Sequence, residues 1–177
     1  MFRLESLPMS GWRQARAIAV LPGNVTVVVP AAILLFVEGP AIGWGLGGVG
    51  AVAGALLGLV LIAAGFSVWL WTVLLFRRIG RGTLAPWDPT CHLVVEGPYR
   101  HMRNPMISAV ATLLLGEAVF FGSPWILAWA ALFVAVNHVF FLLAEEPGLE
   151  QRFGEEYRAY KRAVPRWLRR RDPWQPG

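Results

Sequence analysis

GGVGAVAGALLGLVLIAAGFSVWLWTVLLF, residues 47–76, runs without a charged side chain until it meets Arg77-Arg78. A helix that crosses a bilayer needs about 20 mostly apolar residues. This stretch is longer, so the sequence predicts a membrane span that tilts or projects past the bilayer. Gly50, Gly54, Gly58 and Gly65 put small residues along it. Such a row allows close helix packing, inside one subunit or between two copies.

Working outward, three more apolar runs follow the same logic. Residues 17–37 form the first, with Pro22 and Pro30 expected to kink or fray it. Its β-branched residues 25–29 favour strand weakly, but a lone apolar run cannot close a barrel, and in lipid only a helix then satisfies the backbone. Glu38-Gly39-Pro40 marks a turn. Asn104-Pro105 restarts a helix, because Asn caps well and Pro suits the first helical position. Residues 106–121 and 125–144 are the third and fourth runs, and Gly122-Ser123-Pro124 between them is short enough to force an antiparallel hairpin. After Glu145-Glu146, Pro147-Gly148 is expected to break the helix. Leu149, Phe153, Tyr157, Tyr160 and Val164 then recur at helical spacing, which predicts an amphipathic helix at the membrane interface or capping the bundle.

Charge fixes the orientation. The sixteen Lys and Arg residues fall in three blocks: residues 3–16, 77–103 and 152–171. Positive loops stay cytoplasmic. The prediction is therefore an all-α integral membrane protein of one domain, residues 1–177, in the cell (inner) membrane with both termini cytoplasmic. Residues 1–76 hold two spans, 77–105 a cytoplasmic loop, 106–144 the helical hairpin, and 145–177 a cytoplasmic C-terminal segment. Composition agrees: 56% hydrophobic, 15% charged and a mean hydropathy of +0.52 are too apolar for an ordinary soluble domain. The net charge of +5 is explained by basic blocks facing anionic lipid, so no nucleic-acid partner is expected. A single cysteine, Cys91, excludes an intrachain disulfide and a Cys-rich zinc site. The histidines have no trusted metal-ligand spacing, so no metal is expected. Gly45 to Gly50 matches G-x-G-x-x-G loosely, but in a membrane segment without a preceding strand it is no nucleotide fingerprint.

Two clusters could carry chemistry. Gly97-Pro98-Tyr99-Arg100-His101-Met102-Arg103-Asn104-Pro105 places two arginines, a histidine and a tyrosine before a helix whose free N–H groups suit an anion. The plainer reading is that Arg100 and Arg103 snorkel to phosphates. The second cluster is Asn137-His138 with Glu145 and Glu146, seven and eight residues on and so able to share a face. Its plainer reading is a His138 bonded to a neighbouring helix and a Glu145 paired with Arg100 or Arg103.

Together these elements resemble the membrane methyltransferases that include isoprenylcysteine carboxyl methyltransferases and phospholipid methyltransferases. The matching residues are Gly97-Pro98-Tyr99-Arg100, Arg103-Asn104-Pro105, Glu145-Glu146, Phe153-Gly154-Glu155-Glu156-Tyr157-Arg158-Ala159-Tyr160, and Val164-Pro165-Arg166. The resemblance implies S-adenosylmethionine as cofactor, held at the cytoplasmic end of the last helices under the C-terminal segment. It also implies a lipophilic acceptor arriving from the bilayer. The residues carried over are Tyr99, Arg100, Arg103, Pro105, Glu145, Glu146, Tyr157 and Tyr160. With the clusters' own His101, Asn104 and His138 added, the expected cofactor-binding residues are Tyr99, Arg100, His101, Asn104, Pro105, Glu145, Tyr157 and Tyr160, and the expected catalytic ones are Arg103, Glu145, Glu146 and His138. Asn104 stands where the family usually has His, and Ile107 where it often has an aromatic residue. A carboxylate acceptor needs no base, and Arg103 could orient it. An amine must lose a proton, which makes Glu145, Glu146 or His138 the candidate base. The leading expectation is carboxyl methylation of an isoprenylcysteine-like or other isoprenoid substrate. Phospholipid N-methylation is the nearest alternative. A non-catalytic membrane protein that assembles through the Gly-rich second span is the reading from another class.

The topology predicts that cysteines placed near Pro40 and Ser123 in a Cys91→Ala background react with reagent from outside the cell. Labelling of either loop only from the cytoplasmic side reverses the orientation.

Overall fold

The computed structural model describes residues 19–80, 92–167 and 170–175. Arg3, Arg13, Arg16, Arg81, Pro86, Pro89, Cys91 and Arg169 lie outside the described residues. Within them the fold is all helical. Helix α1, Val29–Phe36, follows a π-helical stretch, Ala19–Val28. Helix α2 is Gly48–Leu75, α3 is Pro105–Phe121 and α4 is Pro124–Phe140. Helix α5, Glu146–Ala163, continues from α4 through a π-helical turn, Phe141–Glu145.

Two helices are long and apolar enough to cross a membrane: Gly48–Leu75 and the continuous Pro124–Ala163. Pro22–Phe36 and Pro105–Phe121 are shorter apolar helices. Only 11% and 17% of the most apolar windows of the two long helices are buried by the protein itself. Leu57, Val60, Leu132 and Val136 are exposed along them. An apolar surface of that extent needs an apolar surround, which lipid supplies.

The sequence expectation for prolines needs refinement. Pro22 lies inside the π-helical stretch, and Pro30 sits in the first turn of α1. With i→i+5 pairing, the carbonyl of Val25 would look to the N–H of residue 30, and proline has none. The Trp129 indole fills the gap, donating from Nε1 to Val25 O at 3.0 Å. This bond ties α4 to the first helix. Pro147-Gly148 does not break the chain either. The π-helical turn before it widens the backbone ahead of Pro147, where a proline ring otherwise clashes with a carbonyl one turn back. The departure from helical geometry comes later, at Gly154, with φ 55° and ψ −126°.

Helices α2 and α3 run antiparallel in close contact. A Cβ on Gly58 would meet Phe120 N at 2.6 Å, and one on Gly116 would meet Ile62 N at 2.7 Å. Gly65 faces Ala109 O and Leu113 N in the same way. Gly58 and Gly65 of this glycine row are thus used inside the chain, facing α3 with its own Gly116, where absent side chains let two backbones touch. Val110, Leu114 and Ala130 form the bundle core, with Trp69, Trp129 and Phe133 against it. At the far end, Gly122 closes α3 in the left-handed conformation, φ 63°, with the backbone of Ala41 and Trp44 pressed on it. Ala41 N donates to Phe121 O at 2.8 Å, and Ser123 Oγ donates to the Glu38 carboxylate.

Gly58→Ala should therefore lower stability by about 1–3 kcal/mol through overpacking. Gly50→Ala, whose new Cβ meets only the Leu46 side chain at 3.5 Å, should be neutral or slightly stabilising. Thermal unfolding midpoints of the two variants in one detergent check the contrast.

Candidate active site

The site is assembled where α3 begins, because the C-terminal chain folds back along residues 100–104. Arg103 N donates to Pro165 O at 2.9 Å and Asn104 N to Arg166 O at 3.4 Å. Arg170 N donates to His101 O and Trp174 N to Arg100 O, both at 2.9 Å. Side chains reinforce the ladder. Arg100 Nε donates to Trp174 O at 2.7 Å, and His101 Nδ1 lies 2.8 Å from Arg170 O. Arg100 and His101, read from sequence as cofactor ligands, thus hold the tail. Asn104 occupies the cap position of α3 without a capping side-chain bond, and Pro105 is buried in the first turn.

Beneath this ladder lies a buried ion cluster centred on Glu146, which is 5% exposed. Arg103 Nη1 reaches Glu146 Oε1 at 2.6 Å, and Arg166 Nη2 reaches the same oxygen at 2.6 Å. Lys161 Nζ lies 3.1 Å from Oε2 and also pairs with Glu150 at 2.6 Å. A lone buried carboxylate is expensive, and these cations offset the cost. Burial alone would raise the Glu146 carboxyl, but the Arg166 hydrogen bond, the Arg103 charge and Lys161 hold it below the ordinary carboxylate range. Arg103 is held further, since its Nε donates to Val164 O at 3.0 Å and it bonds the Tyr157 hydroxyl.

Glu145 is different. It sits just past the apolar run of α4, and no cation pairs with it among the described residues. Burial, then the neighbouring charge of Glu146, pushes its carboxyl up to about 7. The pairing of Glu145 with Arg100 or Arg103 considered from sequence is not formed. Arg103 chooses the adjacent Glu146.

The stripe of α5 packs as a core. Tyr157, Tyr160 and Val164 are buried together, with Leu93, Val95, Leu149, Phe153 and Trp174 around them. Tyr160 donates to Tyr99 O at 2.6 Å. Burial pushes the phenols of Tyr99, Tyr157 and Tyr160 up, so they stay protonated. His138 meets the cluster through Trp167, whose Nε1 donates to His138 Nδ1 at 3.1 Å. Phe141 also packs against that indole in a tilted contact, 5.8 Å between centroids. Lys161, Arg166, Trp167 and Trp174 were not singled out from sequence as site residues. The Val164-Pro165-Arg166 motif is the signal for Arg166.

The profile of the phospholipid methyltransferase family matches residues 53–156, more than half of the chain. This chain belongs to that family. The matched region carries most of α2, all of α3 and α4, and Glu145-Glu146. An uncharacterized protein of Haemophilus influenzae is 38% identical over 65 residues, which is 36% of this chain and 100% of that relative. No solved structure matches the chain. Family membership makes the protein a membrane methyltransferase, and the ion cluster lies where α4 leaves its apolar run.

Removing one member of a buried ion cluster leaves the others uncompensated, at a cost of about 3–5 kcal/mol. Glu146→Gln should therefore release the C-terminal segment, seen as rapid proteolysis after α4. Because the native carboxyl is held low, its contribution is complete above the unfolded value and is lost as pH falls through the lower, folded one. Protection of that segment should not fall from pH 7 to 5, where protonation of the raised Glu145 carboxyl favours the fold, and should fall below about pH 4 as Glu146 protonates.

Proposed function

We propose that this protein transfers a methyl group from S-adenosylmethionine to the amine of a lipid headgroup at the cytoplasmic membrane face, with four helices spanning the cell membrane. The observation that carries this reading is the division of labour between adjacent carboxylates. Glu146 is saturated with cations, while Glu145 has none among the described residues.

A carboxylate acceptor would need a free cation to orient it. Arg103, the candidate for that role, is already bound to Glu146, Val164 and Tyr157. An amine acceptor needs the opposite arrangement. The site must gather two cationic reactants, a lipid ammonium and a sulfonium, and a carboxylate without a cation of its own suits both. The cofactor fits this donor set on the same ground. When bound, it supplies an electrophilic methyl on sulfur. Glu145 accepts the ammonium proton, which frees the nitrogen lone pair, and a carboxyl near 7 is matched to that task at neutral pH. Tyr157 and Tyr160, buried beside Arg103 and Tyr99, exclude water from this end of the site.

The test uses radiolabelled methyl donor and lipid extract, followed by alkali. N-methyl label persists, whereas a methyl ester is hydrolysed, and alkali-labile label would return the isoprenoid carboxylate as acceptor. Absence of S-adenosylhomocysteine binding by calorimetry would support the non-catalytic reading. Activity should rise with pH through about 7 as Glu145 ionises. Glu145→Gln should flatten that limb and lower the rate by about 10²–10⁴-fold.

A further inference from the structure

A groove of about 610 Å³ runs along the lipid-facing side of α3 and α4. That size falls in the range of about 300–1,000 Å³ found for small-molecule sites. Ala111, Ala131 and Ala135 leave room in it, and Leu115 and Leu127 line its far end. Its polarity is graded. The Thr112 hydroxyl is already bonded to Ser108 O at 2.8 Å. The remaining polar lining, His138 and Trp167, lies together at the end next to Arg166 and Glu146.

The hydrogen bond at that end fixes the chemistry of His138. Indole nitrogen only donates. Trp167 Nε1 therefore requires an unprotonated Nδ1 on His138, and the neutral ring carries its proton on Nε2. In this state His138 is a hydrogen-bond donor, and its Nε2 has no partner among the described residues. An apolar channel that ends in one donor matches an acyl chain that ends in its ester. The first polar atom met along such a chain is the ester carbonyl oxygen, an acceptor. A plain isoprenoid or alkyl ether chain offers no carbonyl there.

We infer that the α3–α4 groove seats one acyl chain of a glycerophospholipid and that His138 Nε2–H donates to that chain's ester carbonyl. His138 is then a specificity-determining residue, and the bond sets how deep the lipid sits and how its headgroup reaches Glu145. This inference rests on the lipid methyl-transfer reading above.

The full-length protein in detergent is titrated with tritiated diacyl phosphatidylethanolamine and with its dialkyl ether analogue. The wild type should bind the diacyl lipid about five- to tenfold more tightly, the worth of one ordinary hydrogen bond. His138→Phe should abolish the preference. His138→Gln, which can accept from Trp167 and still donate, should retain part of it. Ala135→Phe, on an exposed position of α4, should weaken both lipids alike by filling the groove. Equal wild-type affinities, or an Ala135→Phe variant that binds as the wild type does, overturn the inference. Binding that follows the expected pattern without any methyl transfer would leave the groove assigned and remove the enzymatic reading. Methyl transfer with no dependence on the ester or on Ala135 would do the reverse.

Discussion

The Glu146 carboxylate holds one end of this protein together. It sits where the last apolar helix becomes the polar one, and it gathers Arg103 from the start of α3, Lys161 from α5 and Arg166 from the tail. Arg103, 43 residues before Glu146, and Arg166, 20 residues after it, meet on one buried charge. Each cation is costly to bury alone, and so is the anion, but together they satisfy one another. The ladder between residues 100–104 and the tail needs this cluster, because extended segments without an anchor would be solvated instead. The Tyr157–Tyr160–Val164 core adds apolar burial on the same face of α5.

The membrane half is organised by a different constraint. Between apolar helices lipid gives no hydrophobic driving force, so close contact and satisfied backbone groups decide the packing. Gly58, Gly65 and Gly116 bring α2 and α3 within backbone contact. Proline-disrupted hydrogen bonding near the N-terminus is repaired by the Trp129 indole. The π-helical turn between α4 and α5 lets one helix carry an apolar span and then a charged cap without a loop. That continuity couples the depth of α4 to the position of Glu145 and Glu146.

Two adjacent carboxylates in opposite states give the site its chemistry. Glu146 is locked as an anion by its partners, while Glu145, raised by burial and by that same anion, titrates near neutrality. The pair follows a general rule, that neighbouring acids are driven apart in proton affinity when only one is given cations. His138 is tied to this end of the protein through Trp167, whose indole bond takes up Nδ1 and leaves Nε2 as the donor.

Much of this was legible in the chain. The helical class follows from residues 47–76 and the other apolar runs, because hydrocarbon admits few backbone solutions. The motif from Gly97 to Arg166 marked the family, and the periodicity of Leu149, Phe153, Tyr157, Tyr160 and Val164 marked the buried stripe of α5. Partner choice was not legible. Sequence paired Glu145 with Arg100 or Arg103, and only packing gives Glu146 to the cations. It gave no sign that Arg100 and His101 bond the backbone of residues 170–174. It expected a break at Pro147, which the preceding π-helical turn absorbs. Periodicity and composition act along the chain and are fixed by covalent order, whereas hydrogen-bond and ion-pair partners are chosen across it, by distances of an ångström or less that exist only once the segments have met.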